Sequence, residues 1–412
     1  MAASTPLGNI ARSLLSQEDL ELVSCNAFQS LWAGYGHVCS IQATQGRAGS
    51  PGSAKKEPLS LILKYISPPP TANISDEGHL RKVLSYQVEQ YFYTHLASQL
   101  PESVAVAQCI ASISDGKTTA LLLKDLKASD RTFKPNVAFT VSLEKRGELN
   151  SVQAHAALDW LAGFHGHFWG KTTQLSRNQL LQPPLKEAER QTTRAVSGGN
   201  HGPGLGFDVQ GIWLNGGYTY LATRRKEYAT LVRDKGVEWS DILCRPSPGG
   251  GPSLAERVAA FLAPSSESSS SHSMSGYETI IHGDVKSENM FASEKGDQVA
   301  FVDFQYVGLG LGVCDLAKLF TCSIPMTMLV DDPEGDLQEG ELSMQPGEKS
   351  LLLYYLQKLE DIAGKTYPWD IFLQHWEIAL IDWLRFQASW GFWGNTEWLE
   401  ARVRYITKRI DI

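Results

Sequence analysis

Residues 280–289 read I-I-H-G-D-V-K-S-E-N, and V-D-F-Q follows at 302–305. Phosphoryl transfer needs a carboxylate to orient an attacking hydroxyl and accept its proton, and hard oxygen ligands to hold magnesium on the departing phosphates. Asp284, followed five positions on by Asn289, brings both kinds of group onto one tight loop. Asp303, at the end of a buried strand read over Gln298 to Phe304, is expected to face that loop. The spacing predicts Asp284 as the base and Asn289 and Asp303 as the metal ligands. His282 is expected to brace the loop by packing and hydrogen bonding and not to transfer a proton. A turn and a strand that happen to carry acids would give the same letters, but many positions must then coincide.

These groups require a lysine on the third strand of a preceding sheet and a glutamate on its helix to fix it. Lys64 is the only cation inside the apolar strand L-S-L-I-L-K-Y-I, where an uncompensated buried charge would be costly. Glu89, within a helical stretch from Glu77 to about Gln99, is the best partner, with Glu77 as the alternative. The plainer readings are a lysine that snorkels to solvent and a glutamate on a solvated helix face. Gly34 and Gly36 in A-G-Y-G-H-V would let backbone N–H groups approach phosphates, or simply form a turn. Cys39 stands where a third glycine of a full G-x-G-x-x-G would fall. L-L-L-K-D-L at 121–126 ends the sheet; as a hinge it would offer the Lys124 carbonyl and the Leu126 N–H to adenine, although a plain strand end reads the same.

The elements that must position these residues are legible as short apolar strands, GHVCSIQAT, LSLILKYI, VAVAQCIASI and TTALLLKDL, with one helix among them. The Gly-, Ser- and Pro-rich segment TQGRAGSPGSAKKEP suits a long exposed hairpin loop. After Leu126 the pattern turns helical, beginning with SVQAHAALDWLAGFHGHFW. Residues 246–276 hold a short amphipathic helix between two low-complexity stretches. Trp369, Trp376, Trp383 and Trp390 recur every seven residues in a helix read from Pro368 to near Gly391. That stripe either packs the core or, with Trp393 or Trp398, walls an acceptor pocket suited to a cationic or ring-shaped alcohol. His155, His165 and His167 lack the i, i+4 spacing of a helical metal site and read as core or cap residues.

Bulk composition excludes several function classes. The 412 residues, 42% apolar and 20% charged, describe a globular chain with room for more than one core. A net charge of −8 argues against generic attraction to nucleic acid. No apolar run is long enough to cross a bilayer. The first residues lack a basic region followed by a hydrophobic core, and six scattered cysteines without a C-x-x-C pair fit a reducing, cytoplasmic setting.

The pattern H-x-D-x-x-x-x-N followed closely by D-F is the catalytic-loop and metal-loop signature of the protein-kinase-like fold. With L-L-L-K-D-L, L-A-G-F-H-G-H-F-W at 161–169, I-H-G-D-V-K-S-E-N and V-D-F-Q followed by C-D-L-A at 314–317, the chain resembles the aminoglycoside phosphotransferase and choline kinase superfamily. Within it the likeness is to the ecdysteroid-kinase-like (CHK kinase-like) family and covers about residues 30–325. The resemblance implies an α+β, two-lobed fold, with a small antiparallel-sheet N-terminal lobe carrying one helix (1–126) and a large, mostly helical C-terminal lobe (127–412). It implies ATP and Mg2+ acting on a small-molecule hydroxyl, with Asp284 as base and Asn289 and Asp303 on the metal. Asp315 resembles the family's helix-start aspartate that steadies the catalytic loop. Two positions depart from the family: Lys124, where an acid is frequent, and Lys286, two residues after the base as in protein kinases and able to touch the γ-phosphate. A protein Ser/Thr kinase and an inactive kinase-like scaffold are the alternatives. Asp315 follows Asp303 by only twelve positions, and no A-P-E follows, which leaves little for a peptide platform.

Overall fold

The computed structural model describes residues 5–45, 58–69, 76–115, 118–128, 135–143, 147–196, 211–264, 276–333, 335, 337 and 340–410. The segment 46–57, expected as a hairpin loop, and the Ser-rich stretch 265–275 lie outside the described residues. Two compact units form, Met1–Thr140 with Pro184–Gly211, and Val141–Pro183 with Ile212–Ile412. The first therefore runs past the expected division after Leu126 and also includes a later helix, Pro184–Val196.

In the first unit, α1 (Pro6–Leu15) begins at Thr5, whose hydroxyl accepts the Gly8 N–H, with Pro6 in the first turn. Five antiparallel strands follow: β1 (Leu20–Ser30), β2 (Gly36–Gln45), β3 (Leu59–Ile66), β4 (Cys109–Ser114) and β5 (Thr119–Lys124), in the order β1-β2-β3-β5-β4. The period of two divides β3 between two faces. Leu61 and Leu63 join Cys39, Ile41, Ala120 and Leu122 against Ala11, Leu14 and Leu15 of α1. Lys64 and Ile66 point to the opposite face, where Ile66 meets Val83 and Tyr86 of α2 (Glu77–Tyr91). Asp76 caps α2 through the His79 N–H, and a π turn and a 3-10 turn carry the helical path on to Gln99.

The unit departs from the sequence reading in three ways. Among its described residues it contains three α-helices where one was expected, because α1 and Pro184–Val196 join α2. Its first strand, β1, was missed: the sequence LELVSCNAFQS is largely solvent-facing, so the apolar alternation is weak. The strand expected from Val104 begins only at Cys109.

The first helix of the second unit is α3 (Ser151–Phe168), started by a reciprocal capping box between Asn150 and Gln153. Its short strands are β6 (Val141–Ser142), β7 (Thr279–Ile281), β8 (Met290–Ala292), β9 (Val299–Phe301) and β10 (Gly308–Gly310). β8 and β9 form a hairpin flanked by β6, and β7 pairs with β10. The strand expected to run to Phe304 ends at Phe301. Among the helices are Leu254–Leu262, the amphipathic segment expected in the 246–276 insert, Gly312–Cys322, Pro346–Ala363, Trp369–Trp390 and Thr396–Thr407. Among the described residues, no helix is long and apolar enough to cross a membrane.

The tryptophan stripe is mainly core: Trp376 and Trp383 are buried, Trp369 is partly covered, and Trp390 is about half exposed. The Trp376 Nε1–H donates to Glu348, whose carboxylate also pairs with Arg402 at 2.9 Å, both charged groups being fully buried. Beside it, His375 lies among Phe261, Tyr277 and Tyr367, and the Tyr367 hydroxyl bonds its Nδ1.

Burial pushes the His375 pKa down to about 4. In the unfolded chain the ring titrates near its ordinary value, so its contribution to stability is complete above roughly pH 6.5 and is lost as pH falls toward 4. His375→Gln is expected to flatten that acid-side loss by up to about 3 kcal/mol, read from urea midpoints measured between pH 7 and pH 4.

Candidate active site

In the first unit, Lys64 and Glu89 come together as expected, with Nζ 2.6 Å from Oε2. The strand alternation puts Lys64 on the α2 face, and Glu89 is almost wholly buried at 2%. Gly34 and Gly36 form the turn between β1 and β2. Gly34 has φ +74, and a Cβ on Gly36 would collide with the Tyr65 carbonyl, so the close approach to β3 requires glycine. Cys39 points into the sheet core. Lys124 is buried at the end of β5 with its ammonium donating to the Pro135 carbonyl at 2.6 Å, and the Leu126 carbonyl accepts the Phe139 N–H.

In the second unit, the loop 282–289 is gripped from several sides. Asp315, in the first turn of Gly312–Cys322, accepts the His282 N–H at 2.7 Å and the Gly283 N–H at 2.8 Å, while His165 of α3 bonds the same carboxylate at 3.1 Å. Burial would raise the Asp315 carboxyl, but the His165 hydrogen bond and its other partners hold it below the usual range. His282 is fully buried; its Nε2 meets the Val302 carbonyl at 3.0 Å, and its Nδ1 accepts the Asp284 N–H. Burial pushes its pKa down against the pull of Asp315 and Asp284. Gly283 has φ +82 and sits so close to Tyr306 and Gly217 that no side chain fits. An irregular segment from Trp213 to Tyr218 braces it, with the Tyr218 N–H donating to the Gly283 carbonyl.

The Asp284 carboxylate is surrounded by donors. Lys318 Nζ is 3.0 Å from Oδ1, Asn289 Nδ2 is 2.9 Å from Oδ2, and Lys286 Nζ is 3.3 Å from Oδ2. Burial favours the neutral acid, yet the two ammonium groups overcome it and hold Asp284 well below the carboxylate range. Asp284 in turn raises Lys286, which also reaches Glu288 at 3.4 Å. Because the Asn289 amide nitrogen is turned to Asp284, its side-chain oxygen is directed away from that carboxylate. At the open end of the β8–β9 hairpin the Val302 N–H bonds the Asn289 main-chain carbonyl, and Asp303 is the next residue along the chain. Asp303 adopts left-handed backbone, φ +69, a strained conformation for a side chain and one found at functional sites.

Lys318 was missed by sequence reasoning, although it lies three residues after Asp315 and so on the same helical face. Its ammonium also donates to the Gly283 carbonyl at 3.0 Å and lies over the rings of Tyr218 and Trp383, at 5.3 and 5.1 Å. The Arg224 guanidinium lies 3.6 Å over Tyr218. The Tyr218 and Trp383 rings thus carry cations of the chain itself. The role of His165 carried no signal in its spacing, because its partner Asp315 is distant in sequence.

Residues 213–344 match the phosphotransferase enzyme family. That segment holds the whole loop from His282 to Asn289 together with Asp303, Asp315 and Lys318. Solved structures similar to the chain include the choline kinase LicA from Streptococcus pneumoniae, at 11% identity and TM-score 0.41, covering 96% of each chain. A choline kinase from Cryptosporidium parvum scores 0.42 at 11% identity, covering 96% of this chain and 92% of that one. An aminoglycoside-3'-phosphotransferase of type VIII scores 0.35 at 12% identity, covering 91% of this chain and 98% of that one. Among curated proteins, none matches the chain.

Lys318→Met removes the nearest cation from a buried carboxylate and a donor from the Gly283 carbonyl. The expected loss is about 1–3 kcal/mol of unfolding free energy, measured by chemical denaturation at neutral pH.

Proposed function

We propose that the chain is an ATP- and magnesium-dependent phosphotransferase that moves the γ-phosphate to a hydroxyl of a small molecule. The observation that carries this reading is Asp284: a buried carboxylate kept ionised by Lys286 and Lys318, on a loop whose backbone is fixed by Asp315. The family match over the same segment supports phosphoryl transfer as the chemistry. In this reading residues 1–126 bind the nucleotide, with Lys64 held by Glu89 on the phosphates, Gly34 and Gly36 at the turn, and the 124–126 backbone toward adenine. Residues 127–412 carry catalysis and the acceptor. A reducing cytoplasmic setting is consistent with six free cysteines.

Asp284 accepts a hydrogen bond from the acceptor hydroxyl, aims its oxygen, and takes the proton as the new bond forms. Because it stays ionised, it is available as an acceptor throughout the neutral range. Asn289 and Asp303 offer the hard oxygen donors magnesium prefers, and the orientation of the Asn289 amide fits that role. Bound there, the metal would neutralise charge on the phosphates. Lys286 and Lys318 keep the carboxylate in one orientation.

A protein kinase is disfavoured by the segment after Asp303, which is consumed by the Phe304–Tyr306 turn, by β10 paired to β7, and by the helix that starts at Gly312. Little chain remains for a peptide platform. An inactive scaffold is disfavoured because each chemical group the reaction needs is present. ATP consumption against a panel of sterols, sugars, choline-like amines and aminoglycosides tests the reading directly and identifies the acceptor class.

Asp284→Ala is expected to keep nucleotide affinity within a few-fold and to lower turnover by about 100-fold or more, measured by calorimetry and by ATP consumption with a responsive acceptor. Full activity in that variant would remove Asp284 as the base. ATP is expected to raise the melting temperature much more with magnesium than with EDTA, and a response indifferent to magnesium would favour a non-catalytic scaffold.

A further inference from the structure

A glycine turn that merely drapes over phosphates needs few anchors, yet the turn at 31–36 is fastened from beneath. Tyr35, between the two glycines, is only 4% exposed. Its hydroxyl bonds Nδ1 of His79, in the first turn of α2, at 2.7 Å. Lys82, further along the same helix, lies 4.7 Å over the Tyr35 ring. The ring packs with Leu31, Ile66, Val83 and Tyr86, and the Tyr35 carbonyl accepts the Ser67 N–H just beyond β3. Tyr86 in turn lies 5.4 Å beneath the Lys64 ammonium, and it stands one helical turn before Glu89.

The turn itself is closed by Leu31 N–H to the Gly36 carbonyl and Gly34 N–H to the Leu31 carbonyl. Ala33 is held at φ +56, a left-handed conformation that a side chain keeps only where its surroundings over-determine it. The Tyr35 anchor supplies that constraint.

We propose that Tyr35 is a positioning residue that ties the glycine turn to α2, so that the turn and the Lys64–Glu89 pair respond to a bound nucleotide as one piece. This rests on the reading of the first unit as a nucleotide site. Tyr35 does not touch the phosphates in this scheme; it acts through the backbone of Gly34 and Gly36 on one side and through α2 on the other. A nucleotide that draws the turn toward itself thereby loads the helix carrying Glu89, and a displaced Glu89 loosens the turn.

Tyr35→Phe keeps the ring and its packing and removes only the hydroxyl. With the full chain and MgATP, calorimetry is expected to show affinity about 5- to 10-fold weaker than wild type, the worth of one buried hydrogen bond. Hydrogen–deuterium exchange supplies the readout that a purely structural role would not move. In the wild type, MgATP should slow exchange at 31–36 and at 77–91 together; in Tyr35→Phe the first protection should persist without the second, while the nucleotide-free rates at 77–91 stay unchanged. His79→Leu removes the same link from the helix side and should reproduce the uncoupling. Wild-type affinity and joint protection in both variants would overturn the proposal. Absence of MgATP binding to the wild type would instead remove the nucleotide reading and this proposal with it.

Discussion

The loop that carries Asp284 has little regular structure of its own, and it is fixed through one residue and its neighbours. Gly283 gives its N–H to Asp315 and its carbonyl to Lys318 and Tyr218, so both ends of that residue are claimed by buried partners. Asp315 and Lys318 are one turn apart on the same helix, which makes a single rigid element the ruler for the loop. The arrangement is self-consistent only when complete. A buried carboxylate without its amide donors, or an ammonium without its carboxylate, would carry a desolvation cost that nothing nearby offsets. With all partners present, a loop of tight turns becomes as well defined as the helices around it, which is the preorganisation that charge stabilisation in an enzyme site depends on.

The same reasoning explains what could be read from the sequence and what could not. The pairing of Lys64 with Glu89 was legible because a lone cation in an apolar strand demands a buried acid, and only one helix lay between the neighbouring strands. The helix Trp369–Trp390 was legible at both ends, from Pro368 and Gly391. By contrast, Lys318 looks like any helical lysine until Gly283 is folded against it, and His165 reads as packing until Asp315 arrives from 150 positions away. Strand β1 escaped notice for a different reason: at the sheet's edge it has one strand neighbour, so its side chains obey solvent more than a core, and alternation fades. The extent of β9 was overestimated because the chain leaves the ladder to put Asp303 into left-handed backbone, a choice that local apolar pattern cannot encode.

The tryptophans divide between two duties. Trp376 serves the core and spends its one polar group on Glu348; Trp383 closes over the ammonium of Lys318. An aromatic-rich helix beside the loop 282–289 thus has partners within the chain itself. Here the Trp383 ring helps to desolvate the ammonium paired with Asp284, and so it strengthens that electrostatic contact.

The buried pair of Glu348 and Arg402 has a consequence for how the chain acquires its fold during synthesis. Glu348 lies in the interior of the second unit, and its countercharge is on the Thr396–Thr407 helix. Until that helix has emerged from the ribosome, closing the core around Pro346–Ala363 would bury an acid without its partner. The second unit therefore closes with both charges paired only once residues 396–407 are available, whereas the strands of the sheet from β1 to β5 all precede them in the chain. A nick in the 396–407 region would leave the loop from His282 to Asn289 on a unit whose interior holds an acid without its countercharge, and partly open units of that kind are favoured targets of proteolysis.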